Sequence, residues 1–188
     1  ALPRGGVPVA YEVATALNVP LDICLVRKLG LPGNKELAMG AIAMGGVMVL
    51  NEEVVRSLSI PQATIERVAA SEQEELERRD RAYRGDRPPP DVRRRMIILI
   101  DDGIATGSTL RAAIATLKQQ QPQSIIVAVP VAPLSTYNEL KAEVDKVVSL
   151  VTPESFYSIS VWYDDFTQTT DEEVRTLLAT PTSAISFS

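Results

Sequence analysis

Between residues 96 and 151 apolar stretches of strand length alternate with amphipathic stretches of helix length, and few folds accommodate that order. "MIILI" at 96–100 predicts a strand. Residues 109–119 predict a helix with Leu110, Ala113, Ile114 and Leu117 on one face, the spacing of a 3.6-residue period. Residues 124–131 predict a second strand. Residues 136–144 predict a second helix, opened by a capping box of Thr136 with Glu139. Residues 147–151 predict a third strand. Largely apolar strands joined by amphipathic helices imply an α/β fold, a central parallel sheet with helices on its faces.

The first half is less regular. A helical pattern spans 7–17, with Pro8 suited to a first turn and Asn18 and Pro20 to a stop. "LDICLV" at 21–26 is short, apolar and bounded, and predicts a buried strand. "RKLGLPGNKELAMG" at 27–40 predicts a loop, and "GAIAMGGVMVLN" two short strands turning at Gly45 and Gly46. After Pro61 a charged helical pattern runs to about Tyr83, with Ile65, Val68, Ala69 and Leu76 on its apolar side. The prolines of "RGDRPPPD" end it. Near the C-terminus Thr170 and Glu173 form another capping box. The expectation is one domain over 1–179 and a polar, frayed tail over 180–188, with at least a strand preceding "ALPRGG".

Composition removes several chemistries. The chain has no histidine and one cysteine, Cys24, so histidine-based triads, histidine metal sites and thiolate zinc sites are excluded. Any metal is a hard cation on oxygen ligands. A net charge of −5 argues against a nucleic-acid partner. No apolar run reaches the roughly 18 to 20 residues of a membrane helix, and no signal peptide is evident. A single cysteine is compatible with a reducing cytoplasm.

The chemistry concentrates in "ILIDDGIATGST", residues 98–109. Ligands of parallel α/β sheets bind beyond the carboxyl ends of the strands, and Asp101 and Asp102 stand at such an end. Gly103, Ile104, Ala105, Thr106, Gly107, Ser108 and Thr109 then supply a turn and a helix N-terminus. Free backbone N–H groups and hydroxyls there suit a phosphate. Two carboxylates beside a phosphate site are useful when the ligand also offers hydroxyl donors. A ribose 5-phosphate has that layout. A P-loop needs a lysine where Ser108 stands, and the dinucleotide fingerprint is absent.

This string resembles the phosphoribosyl pyrophosphate signature of type I phosphoribosyltransferases. The resemblance implies that Asp101 and Asp102 bind the ribose hydroxyls and that Ala105 through Thr109 hold the 5-phosphate. "PRGG" at 3–6 is similar to the family's first-strand loop, so Gly5, Gly6 and Arg4 are implied pyrophosphate ligands. "VRK" at 26–28 sits where the family often has a basic residue, which brings in Arg27 and Lys28; a solvated strand end is the alternative for both. Residues 30–51 match the family's mobile catalytic loop in position. Together with "RKLG", "ELAMGAIA" and "WYDDFTQTTDEEV", these segments resemble a subgroup of stand-alone phosphoribosyltransferase-domain proteins of unsettled substrate.

The implied fold is a phosphoribosyltransferase-like sheet with a mobile hairpin loop and a small hood. The implied reaction transfers phosphoribosyl to a nucleobase or related nitrogen heterocycle, releasing pyrophosphate. Mg²⁺ is the implied cofactor, reached by Asp101 and Asp102 directly or through water, and a homodimer is usual in the family. Ala105 stands where 6-oxopurine enzymes carry a carboxylate, which argues against that acceptor. Trp162, Tyr163 and Phe166 could stack on a planar base, with Asp164 or Asp165 accepting a hydrogen bond; core or subunit-interface packing is the alternative. Two other functions stay open: a silent ribose-phosphate-binding sensor, and an unrelated α/β phosphate-binding protein.

Overall fold

In the computed structural model, which describes residues 1–182, helix α1 (Gly6–Leu17) leads into two three-stranded sheets. The first sheet is antiparallel, ordered β1 (Val26–Leu31), β2 (Asn34–Ala43), β3 (Met48–Leu50). Helices α2 (Glu52–Ser57) and α3 (Gln62–Arg84) follow. The second sheet is parallel and ordered β4 (Met96–Ile100), β5 (Ser124–Val131), β6 (Lys146–Val151). Helix α4 (Ser108–Gln119) connects β4 to β5, and α5 (Leu134–Leu140) connects β5 to β6. Helix α6 (Asp171–Ala179) closes the described chain.

Alternation along β4 and β5 separates two cores, because successive side chains of a strand point to opposite faces. Leu99, Ile125, Val127 and Val129 pack with Leu110, Ala113, Ile114 and Leu117 of α4. Ile98, Ile100 and Ala128 face the other way, onto α1, α3 and α6 through Val7, Ala10, Leu76, Val174 and Leu178. Fully burying a leucine or isoleucine contributes about 1.5–3 kcal/mol, so these two layers fix where β4 ends. The expected helix stripe of α4 is the buried one.

Three expectations need correction. Residues 21–25 are extended chain rather than a strand, and β1 begins only at Val26; the Cys24 N–H donates to the Ala1 carbonyl at 2.7 Å. Residues 27–40 are mostly hairpin rather than loop. Pro32 and Gly33 make a tight turn, with Gly33 at φ 87°, and Leu29 and Met39 from the two strands are fully buried against α3. The helix expected over 136–144 begins earlier, after Pro133, so Thr136 lies inside α5 and caps nothing. Most of the tail expected over 180–188 lies outside the described residues, which end at Thr182, whose hydroxyl donates to the Val19 carbonyl at 2.8 Å. The second capping box, Thr170 with Glu173, is present at α6.

The charged helix α3 also carries a buried ion network. Arg84 donates to Asp22 Oδ1 through Nη2 at 2.7 Å and Nε at 3.1 Å, to the Ile23 carbonyl at 3.2 Å, and to Asp80 one turn earlier. This network ties the end of α3 to the extended segment that leads into β1. Removing one partner of a buried pair leaves an uncompensated charge. Arg84→Ala is therefore expected to lower unfolding free energy in urea by about 3–5 kcal/mol. A loss below about 1 kcal/mol would contradict a structural role.

Candidate active site

Strand β4 runs out of partners at Asp101, and three segments converge there. The first is the loop before α1. The Leu2 N–H donates to the Ile100 carbonyl at 2.8 Å, which brings residues 3–6 across the end of β4. A Cβ added to Gly5 would stand 1.9 Å from Asp102 Oδ2, and one added to Gly6 would stand 2.8 Å from the Asp101 Cα. Only glycine permits this approach. The N-terminus of the 12-residue helix α1 therefore opens directly beside the acid pair, with no side-chain cap.

The second segment is the turn into α4. The Ile104 N–H donates to the Val131 carbonyl at 2.9 Å, anchoring the turn to the end of β5. Ile104 is buried, so it is an anchor and its side chain is closed to a ligand, whereas Ala105, Thr106, Ser108 and Thr109 are exposed. Gly103 is packed under Ile159: a Cβ there would meet Ile159 Cγ2 at 2.8 Å. Gly107 takes φ 71° and precedes the first turn of α4, which has no side-chain cap. This first turn and the exposed hydroxyls of Thr106, Ser108 and Thr109 stand together at a helix N-terminus, where an anion is favoured.

Side chains from α4 and α5 hold that turn from behind. Arg111 Nη1 donates to the Thr106 carbonyl at 2.9 Å, and its other nitrogens donate to Glu139 and Glu143, each at 2.7 Å. The Thr136 hydroxyl donates to the Ala105 carbonyl at 3.2 Å. These bonds engage two successive carbonyls and so fix the backbone of the turn. Thr136 and Glu139, expected to cap a helix, thus brace the turn instead. Sequence reasoning does not single out Arg111; its helical spacing from Gly107 is the available signal.

The third segment is the stretch after β6. The Tyr163 hydroxyl donates to the Asp102 carbonyl at 2.5 Å, and the Phe166 ring lies 5.1 Å from that of Tyr163. Trp162 and Phe166 are exposed. Tyr163 therefore contacts the acid pair, and Phe166 joins through it.

The basic candidates divide. On β1, neighbouring side chains point to opposite faces. Lys28 reaches the turn, with Nζ 3.4 Å from Ser108 Oγ, while Arg27 faces α3 and pairs with Glu72 at 2.6 Å. Arg27 is thus not brought to the acid pair. Arg4 turns toward Asp171, 3.5 Å away, rather than over Asp101.

Electrostatics mark the acid pair as unusual. Burial, and then the charge of Asp102, push Asp101 up to about 7. Burial also raises Asp102, opposed by its hydrogen bonding with Asp101. Burial followed by both acid charges pushes Tyr163 up to about 12, keeping it a donor. Among the described residues no group of three or more acidic, cysteine or histidine side chains could hold a metal. Two carboxylates do suit Mg²⁺, which takes one or two protein carboxylates and completes its shell with water and substrate oxygens.

Comparison with known proteins bears on this geometry. A family model described as phosphoribosyl transferase domain matches residues 1–167. Two Mycobacterium tuberculosis proteins, from strains CDC 1551 and H37Rv, are each 42% identical over 177 residues and carry the name "Putative phosphoribosyl transferase". The match covers 94% of this chain and 40% of theirs, so the chain spans about two fifths of those relatives. The crystal structure of TT1426 from Thermus thermophilus superposes with a TM-score of 0.86 at 43% identity, covering 95% of this chain and 84% of that one.

The raised Asp101 pKa sets a pH dependence. Between about pH 4 and 7 the folded state keeps a proton that the unfolded chain releases, so this group makes stability fall as pH rises. Asp101→Asn removes the titration. At pH 8 the variant is expected to be more stable than wild type by on the order of 2 kcal/mol in urea unfolding, with the gain vanishing near pH 4. A difference independent of pH would contradict the assignment.

Proposed function

The chain belongs to the phosphoribosyl transferase domain family, and on that premise we propose that it binds 5-phosphoribosyl 1-pyrophosphate and transfers phosphoribosyl to a nitrogen acceptor. The observation that carries the reading is the joint placement of Asp101 and Asp102 between an anion-ready turn and the Gly5–Gly6 loop. One face of the acid pair meets the phosphate turn and the other meets the uncapped start of α1. A ribose bearing a phosphate at one end and a diphosphate at the other spans that arrangement.

In this reading the carboxylates of Asp101 and Asp102 accept hydrogen bonds from the two vicinal ribose hydroxyls. The N–H groups after Gly107, with the hydroxyls of Thr106, Ser108 and Thr109, hold the 5-phosphate. The Gly5 N–H at the uncapped start of α1 faces the pyrophosphate, the Gly6 N–H being bonded to the Leu2 carbonyl, and Lys28 contributes positive charge. Displacement at ribose C1 passes through an oxocarbenium-like state, as at other glycosyl centres. The protein's part is to position the ring and to stabilise charge leaving with pyrophosphate. Mg²⁺, held by the acid pair and substrate oxygens, would neutralise part of that charge.

Family membership supports Mg²⁺ and small-molecule substrates in general terms. The acceptor, a nucleobase or related heterocycle, would approach from the Tyr163 side, where Trp162 and Phe166 offer exposed aromatic surface. Closure of the exposed tip of the 30–51 segment, around Pro32 and Gly33, over the site would exclude water during transfer. A homodimer fits the exposed apolar surface at Leu150, Tyr157 and Val161. Among the described residues no helix is long and apolar enough to cross a membrane; a cytoplasmic location is part of the proposal.

Calorimetric titration with phosphoribosyl pyrophosphate and Mg²⁺ tests this reading. Micromolar binding that disappears in the Asp101→Asn/Asp102→Asn double variant is expected; retained binding in that variant would reject the site. Arg111→Met is expected to weaken ribose 5-phosphate binding about tenfold by releasing the Thr106 carbonyl, the size of a lost charge-assisted bond. Unchanged affinity would remove Arg111 from the positioning machinery.

A further inference from the structure

A second place in the molecule is built from like charges. Arg4, Arg78, Arg79, Ala82, Tyr83 and Asp171 line a cavity of about 270 Å³ between the first loop, α3 and the start of α6. Neither Asp101, Asp102 nor any residue of the 103–109 turn lines it. Three guanidinium groups from two separate segments thus share one cavity, opposed within it by a single carboxylate.

The way these groups are held leaves donors over. Arg78 donates to Glu75 through Nε and Nη2, and Arg79 donates to the same carboxylate through Nε. These bonds hold Glu75 down at about pKa 2, so it stays charged as a fixed brace. Arg78 Nη1 and both Nη groups of Arg79 make no hydrogen bond to protein among the described residues. Arg4 has only its 3.5 Å ion pair with Asp171, which also accepts from the Tyr83 hydroxyl at 2.8 Å. The counter-charge is therefore already engaged, while the arginine forks retain unused donors. Planar guanidinium groups match the oxygens of phosphate-class anions in this way.

We infer that this cavity is a second oxyanion site, formed by Arg4, Arg78 and Arg79 and separate from the acid pair and its phosphate turn, for a small phosphate-class polyanion. Its volume lies just below the roughly 300–1,000 Å³ of ordinary small-molecule sites, the scale of an inorganic polyanion rather than a nucleotide. The occupant replaces Asp171 as the partner of Arg4 and takes the free Nη groups of Arg78 and Arg79. The site does not depend on the ribose-phosphate reading: neither the residues assigned to the ribose and the 5-phosphate nor Gly5, Gly6 and Lys28, assigned to the pyrophosphate, line it, and the Arg4 side chain turns to Asp171.

The test uses inorganic pyrophosphate without Mg²⁺, and ribose 5-phosphate, each titrated calorimetrically into three proteins. These are the wild type, Arg78→Gln/Arg79→Gln, and Asp101→Asn/Asp102→Asn. Glutamine keeps a donor for Glu75, so α3 is little disturbed. Pyrophosphate affinity is expected to fall at least tenfold in the arginine variant, the size of one lost charge-assisted bond. It is expected to persist in the acid variant, with ribose 5-phosphate affinity unchanged by the arginine substitutions. Equal pyrophosphate affinity in wild type and the arginine variant would overturn the site, as would no pyrophosphate binding by the wild type. Loss of both ligands in the arginine variant would overturn its separateness. Failure of the ribose 5-phosphate arm alone would strike the function proposed above and leave this site standing.

Discussion

The contact between Gly5–Gly6 and Asp101–Asp102 is the constraint on which the rest of the site depends. It exists because the Leu2 N–H bonds to the last carbonyl of β4 and because two adjacent residues have no side chain to hold the loop away. Once the loop lies there, α1 begins beside the acids and the acids lose much of their contact with water. Burial then raises both carboxyls. A ligand that brings hydroxyl donors or a cation to this spot relieves the cost of the buried charges, which gives the site a reason to prefer such ligands over a bare anion.

The turn into α4 is preorganised by a different means. Its carbonyls at Ala105 and Thr106 are engaged by Thr136 and Arg111, its start is bonded to β5 through Ile104, and its end is fixed by the left-handed conformation of Gly107. The scaffold therefore holds the turn in place without help from a ligand, and little reorganisation remains to be made on binding. Arg4, Arg78 and Arg79 are gathered elsewhere, between the first loop, α3 and the start of α6.

Much of this arrangement is legible in the chain, and the exceptions have physical causes. The α4 stripe and the β4 apolar run are legible because each is a local period that matches its burial. The acid pair and its turn are legible because the chemistry lies in twelve consecutive residues. The β1–β2 hairpin is hidden by glycine and charge at 27–40, where only the long-range burial of Leu29 and Met39 declares the strands. The roles of Thr136 and Glu139 are hidden because a capping pattern and a tertiary brace use the same residue types. Strand alternation separates Arg27 from Lys28, but only once the segment is recognised as a strand. The Arg84–Asp22–Asp80 network joins positions up to 62 residues apart, which no local pattern reports.

The central claim is that the paired carboxylates recognise vicinal ribose hydroxyls while the turn holds the phosphate. Comparing ribose 5-phosphate with 2-deoxyribose 5-phosphate by calorimetry tests it most directly, since the two ligands share the phosphate and differ by one hydroxyl. The account predicts at least about tenfold weaker binding of the deoxy sugar, the size of one hydrogen bond to a charged acceptor. Equal affinities would contradict it, leaving the turn as a phosphate site and the acid pair without a ribose to hold.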